Sequence, residues 1–225
     1  MKHFIVFISL FATVCCGVKL NHRSSTGFSS SAGHSELSLS ATPADTTFVN
    51  LRDYSKDFIY DMRYATTDNF LKQQVYDCDE CYLRTKTVKA LLKASEHFAK
   101  LGYKIKLYDC YRPVGVQKRM WKIVSDPQYV ADPAKGSIHN RGGAVDITIV
   151  DVQGIELDMG TGFDHFGPEA SHNYKQLSPD VLKNRLLLRK GMEENGFSAF
   201  ESEWWHYNLN GSTKDPVSNF TWPCK

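Results

Sequence analysis

The chain has 225 residues, of which 42% are hydrophobic and 23% charged; this excludes a disordered or fibrous protein and suits one domain with a buried core. Its formal net charge of +2, with no block of basic residues, gives no reason to expect nucleic acid or a stable membrane partner.

In sequence order, Met1-Lys2-His3 followed by the apolar run Phe4 to Val14 reads as a secretory signal over residues 1–17. The run is shorter than the roughly 20 apolar residues a bilayer span needs. Cys15 and Cys16 raise a lipoprotein reading, but the residues before them fit the lipidation pattern poorly. A secreted or periplasmic protein is therefore expected. Residues 18–47, rich in Ser and Thr, bury too little apolar surface to offset their ordering entropy and read as a flexible leader. The folded domain is expected over residues 48–225.

Within it, Val88, Leu91, Leu92 and Phe98 predict a helix from Lys86 to Leu101, with Gly102 as its stop. Tyr103 to Tyr108 alternates as a strand should, and Pro113 opens a second helix through Val114, Gln117, Met120 and Trp121. Ala144 to Val150 is rich in β-branched residues and reads as a central strand, with Ile155 to Leu157 returning antiparallel after a turn. Ser178-Pro179 is an N-cap followed by proline at the first helical position, and that helix runs to Asn195-Gly196. Trp204 to Tyr207 is the last strand. This mixture predicts a single α+β domain, a central antiparallel sheet flanked by helices.

Once the signal is removed, Cys78, Cys81, Cys110 and Cys224 remain, an even set that favours disulfides in an oxidising compartment and allows three pairings. Asn210-Gly211-Ser212 and Asn219-Phe220-Thr221 are glycosylation acceptors if the host is a eukaryote.

The chemistry concentrates in two stretches. Ser137-Ile138-His139-Asn140-Arg141-Gly142-Gly143-Ala144-Val145-Asp146 places an imidazole seven residues before a strand carboxylate, and its glycines permit a tight path into the strand. Glu203-Trp204-Trp205-His206 supplies a second imidazole with a carboxylate three residues before it. Two His and one carboxylate make a catalytic zinc set with one position open for water. Alone, His139 reads as a solvated loop residue, His206 as a core histidine and Glu203 as an exposed strand residue. Asp146 amid apolar neighbours is harder to dismiss, because an unpaired buried carboxylate costs several kcal/mol. Residues three apart on a regular strand face opposite ways, so Glu203 and His206 can share a site only at a bulge, a twist or a strand end.

These stretches, with Tyr111-Arg112-Pro113 and Met159-Gly160-Thr161-Gly162-Phe163-Asp164, resemble the D-alanyl-D-alanine dipeptidases, the branch of the zinc D,D-peptidases typified by the vancomycin-resistance dipeptidase. The likeness covers essentially the whole domain. It implies the zinc D,D-peptidase fold, shared with hedgehog-like signalling domains, and a small dipeptide as substrate. It further implies one Zn2+ on His139, Asp146 and His206, Glu203 as catalytic base, and Arg112 stabilising the transition state. Asp164 with Ser137 would hold the substrate's free amino group. Outside the family pattern, His165 directly after Asp164 either modulates the pKa of that carboxylate or does nothing. Cys110 stands where the family has a small residue; a disulfide there would brace the loop carrying Arg112, with Cys81 and Cys224 both candidate partners. Two other readings of the scaffold are a D,D-carboxypeptidase on longer wall peptides and a zinc-containing binding module, which would need neither Glu203 nor Arg112.

Overall fold

This computed structural model describes residues 43–224; the expected signal and most of the leader lie outside them. Seven strands and three helices are present among the described residues. The strands are β1 (Phe48–Asn50), β2 (Ile59–Tyr60), β3 (Tyr82–Arg84), β4 (Lys104–Asp109), β5 (Ala144–Val150), β6 (Phe197–Phe200) and β7 (Glu203–Leu209). The helices are α1 (Thr85–Lys100), α2 (Val114–Ile123) and α3 (Pro179–Glu193). The main sheet has the order β2-β4-β5-β7-β6, and β1 pairs with β3 in a separate ribbon. Pairing is antiparallel from β4 to β6, as expected, but the edge strand β2 runs parallel to β4. The fold is α+β.

Each helix ends where its sequence dictates. Gly102, at φ 83°, lets the Tyr103 and Gly102 amides close on Phe98 and Ala99 carbonyls, which stops α1 in a Schellman turn. Ser178 Oγ accepts the Val181 amide at 3.2 Å, and Pro179 occupies the first position of α3. Helix α2 begins differently: its first amides find no side-chain cap of their own. The C-terminal segment supplies acceptors instead, Ser218 O to Val114 N and Asn219 Oδ1 to Gly115 N.

Val88, Leu91 and Phe98 of α1 and Leu188 and Met192 of α3 pack with Ile105, Leu107, Val145, Ile147 and Ile149 of the sheet in one core. Gly191 belongs to that contact, because a Cβ there would collide with the Phe98 ring. Strand alternation then turns Ala144, Asp146 and Thr148 of β5 to the other face. Segment 155–157 returns beside β5 as expected but forms only a single bridge, Val150 with Glu156.

Ordered packing begins slightly before residue 48. Thr47 O accepts the Thr85 amide and Asp45 O the Lys86 amide. Two disulfides close the structure, Cys78–Cys224 and Cys81–Cys110. Of the two candidates for Cys110, the partner is Cys81. Among the described residues no helix is long and apolar enough to cross a membrane.

Candidate active site

Three central strands carry the site on the face away from α1 and α3. Strands β5 and β7 pair Asp146 directly with His206, so their side chains project side by side. Strand β4 reaches the same place through an irregularity. Its register with β5 shifts between Leu107 and Asp109, and the extra residue sets Asp109 opposite Asp146 instead of leaving it on the core face. A comparable shift separates the Ala199–Tyr207 pair from Phe200–Glu203, and Glu203 is the first residue of β7. The bulge or strand end that Glu203 and His206 require is thus present, and Glu203 Oε2 lies 3.8 Å from His206 Nδ1.

His139 arrives from a 3-10 turn, His139–Arg141, that leads into β5. The turn needs both following glycines. Gly142 sits at φ 70° with the Phe48 ring 2.5 Å from where a Cβ would stand, and a Cβ on Gly143 would collide with Ser212. Three bonds zip this turn to the segment after β4: His139 Nδ1 to Cys110 O at 2.7 Å, Arg112 N to His139 O at 3.1 Å, and Asn140 Nδ2 to Arg112 O at 2.7 Å.

The candidate ligand atoms converge. His139 Nε2 lies 3.3 Å and His206 Nδ1 3.0 Å from Asp146 Oδ1, and the two nitrogens are 3.2 Å apart. Ligands about 2.0–2.1 Å from a tetrahedral zinc stand about 3.3 Å from one another, so the spacing is that of a coordination shell. The outer ring nitrogens support it: Nδ1 of His139 donates to Cys110 O, and Nε2 of His206 donates to Asn208 Oδ1 at 2.9 Å. Both inner nitrogens therefore present lone pairs. Asp146 is 3% exposed and its Oδ1 has no hydrogen-bond donor in spite of those close approaches. An inward-facing triad of acceptors is repulsive without a cation at its centre, so these residues fit a divalent metal.

Electrostatics follow from burial and partners. Burial works against the charge on both His206 and Asp146. With no metal bound, the carboxylates of Asp146 and Glu203 overcome it for His206 and push the pKa up to about 9, so a proton on Nδ1 holds the place that a metal ion would take by displacing it; for Asp146 the two imidazoles win and hold its pKa well below the ordinary value. Burial raises the Glu203 carboxyl, with the Asp146 charge adding to the effect. Asp164 is raised well above the ordinary carboxylate range by burial and by Asp146, against the opposing bond from Tyr64.

All seven residues singled out by sequence, Arg112, Ser137, His139, Asp146, Asp164, Glu203 and His206, line one cleft of about 540 Å³. Arg112 Nε and Nη2 bond Asp109 Oδ2 at 3.2 and 2.5 Å, and its Nη1 bonds Gln117 Oε1 at 3.1 Å, which leaves two N–H groups unassigned. Asp164 takes φ 58°, a left-handed conformation Asp tolerates, and accepts the Tyr64 hydroxyl at 2.9 Å. Its loop hangs from Arg185 of α3, which donates to the carbonyls of Met159, Glu169 and Ser171. Ser137 Oγ accepts the Asn140 amide at 3.3 Å. His165 pairs with Glu169 at 3.2 Å.

Sequence reasoning passed over Asp109, Gln117, Tyr64 and Asn208. Asn208 carried a signal, since two residues beyond His206 on a strand is the same face. Asp109 adjoined a motif already singled out. Tyr64 carried none.

One α+β domain that gathers two imidazoles, three carboxylates and a guanidinium into a single cleft is the frame of a hydrolase. The family profile described as D-ala-D-ala dipeptidase, of peptidase M15, matches residues 44–223, and the chain belongs to that family. It is 38% identical over 176 residues to the D-alanyl-D-alanine dipeptidase of Escherichia coli K12, covering 77% of this chain and 91% of that protein. It is 32% identical to the enzyme of the same name from Enterococcus faecium, covering 74% of this chain and 92% of that one. Among solved structures, a vancomycin-resistance D,D-pentapeptidase in complex with Zn(II) matches at a TM-score of 0.41 and 15% identity, over 60% of this chain and 79% of that one.

Proposed function

We propose that this protein is a zinc-dependent dipeptidase that hydrolyses D-Ala-D-Ala or similar small dipeptides outside the cytosol. The observation that carries this reading is the convergence of His139, Asp146 and His206, with Asp146 Oδ1 buried and without a donor. A zinc ion held there would supply Lewis acidity, lowering the pKa of water to about 7 and polarising the scissile carbonyl.

The remaining steps fall to the protein's own side chains. Glu203 takes the proton of the attacking water on its carboxylate and passes it to the leaving amine; burial raises its affinity for that proton. Arg112, aimed by Asp109 and Gln117, donates its free N–H groups to the oxygen on which negative charge develops. Asp164, pinned by Tyr64, receives the substrate's ammonium group with Ser137 beside it; the arriving positive charge offsets the burial that otherwise favours the neutral acid, and the pairing selects a dipeptide over a longer peptide. The expected signal at residues 1–17 and the two disulfides support an oxidising, exported location.

The test incubates the purified protein with D-Ala-D-Ala, L-Ala-L-Ala or a wall pentapeptide, each with and without chelator. Chelator-sensitive release of D-alanine from the first substrate, with near silence on the pentapeptide, is expected. Chelator-insensitive release would overturn the metal reading. Preference for the pentapeptide would move the assignment to a D,D-carboxypeptidase.

A further inference from the structure

We propose that the Cys81–Cys110 disulfide is a positioning device for the metal ligand His139, because it fixes the carbonyl that selects the tautomer of that imidazole. The proposal rests on the metal reading above.

Its starting point is where β4 ends. After the register shift, Asp109 is the last residue paired with β5, so Cys110 leaves the ladder at the point where the site begins. The Cys110 peptide is nevertheless engaged on both sides. Its N–H donates to Asp109 Oδ1 at 2.9 Å and its carbonyl accepts His139 Nδ1 at 2.7 Å. The carbonyl has a consequence beyond one hydrogen bond. A carbonyl can only accept, so Nδ1 must carry the proton, and Nε2 is left as a lone pair toward Asp146 and His206. A rotation of this peptide would remove the acceptor, and with it the reason for Nε2 to be free.

The disulfide opposes that rotation from outside the main sheet. Cys81 and Cys110 are both 0% exposed, with Cα atoms 5.4 Å apart. Cys81 immediately precedes β3 and is itself anchored, its carbonyl accepting the Leu51 amide at 2.9 Å. The neighbouring Tyr111 amide bonds Tyr82 O at 3.0 Å. The bridge thus ties the loose end of β4 to the β1–β3 ribbon. The other disulfide makes a natural control. Cys224 is exposed and Cys78 half-buried, and neither residue bonds a ligand of the site.

The experiment measures zinc affinity by competition with a chromophoric chelator, together with the visible spectrum after Co(II) substitution. It compares the wild-type protein with Cys81→Val/Cys110→Ala and with Cys78→Ala/Cys224→Ala. Loss of a group that orients a ligand typically costs about 10–100-fold in metal affinity. We expect at least a tenfold weakening and an altered cobalt spectrum in the first variant. The second should stay within about twofold of wild type with an unchanged spectrum, although both lose thermal stability. Zinc affinity of the first variant within about twofold of wild type overturns the proposal. A wild-type protein that takes up no zinc overturns the metal reading itself, which is a separate result.

If the first variant does not fold, the wild-type protein still decides. Coupling is reciprocal, so zinc must favour the disulfide as much as the disulfide favours zinc. A tenfold coupling lowers the two-electron potential of Cys81–Cys110, read against glutathione, by about 30 mV when zinc is bound. An unchanged or raised potential overturns the proposal.

Discussion

On the cleft face of the main sheet His206 is half-buried beside Asp146 and Glu203, whereas behind the sheet His172 is buried against Tyr207, whose register partner is the core residue Val145. The first imidazole has its pKa pushed up to about 9 by its carboxylate neighbours. The second is pulled down to about 4, by burial first and then by the nearby positive charges of Arg189 and Arg185, with Glu201 opposing. Burial alone does not decide the charge; the partner does. On the side that packs on α1 and α3, the buried imidazole of His172 stays neutral. The cleft face holds Asp109, Asp146, Asp164, Glu203 and Arg112 together at a cost in desolvation that apolar residues of similar size would avoid. Stability and chemistry are therefore divided between the two sides of the same three strands.

That division can be broken from either side. On the cleft side, Glu203→Gln keeps the shape of the side chain and removes its ability to take a proton. It is expected to lower kcat on D-Ala-D-Ala by about 10²–10⁴-fold, with a melting temperature no lower than wild type, because burial already disfavours the charge. A variant that kept more than a tenth of the wild-type rate would remove Glu203 from the chemistry. On the packed side, Ile147→Ala changes a fully buried residue next in sequence to Asp146 but pointing away from it. The expected loss is about 2–5 kcal/mol of stability, read as a lower urea midpoint. The kcat per folded molecule should be unchanged. A kcat that fell with the midpoint would show that the two faces are not independent.

Legibility in the sequence follows the same line. The packed side is periodic, so α1, α3 and β5 could be read from spacing and caps, with Gly102 and Ser178 marking the ends. The strands β1, β2 and β3 are two or three residues long, too short for any period, and β6 follows Gly196 so closely that its four residues show no clear alternation. The parallel edge strand carries no local mark at all. On the cleft side, the motif residues stood out as chemistry that the core did not need. The residues that aim them did not. Asp109 reaches Arg112 because of a register shift, and register is a property of two strands rather than of either sequence. Tyr64 meets Asp164 across 100 residues. Cysteine spacing likewise left Cys81 and Cys224 as equal candidates for Cys110, since connectivity is not written in spacing.

The smallest effect sharpens the contrast between the two histidines. His172 has a folded-state pKa of about 4 against an ordinary 6.5, so between those values the unfolded state binds the proton more readily than the folded one. Stability from this group is fully present above about pH 6.5 and is lost as the pH falls toward 4. Its Nε2 has no hydrogen-bond partner, so His172→Phe removes the titration without stranding a donor or acceptor. At pH 7 the variant should differ little from wild type. At pH 4.5 it should be the more stable of the two by about 2 kcal/mol, a difference of roughly 4–8 °C in melting temperature for a domain of this size. The carboxylates titrate in both proteins and cancel in the comparison. If the two melting curves instead stayed parallel from pH 7 to pH 4.5, His172 would not be held neutral behind the sheet. The charge on a buried imidazole would then no longer separate the stabilising face from the reactive one.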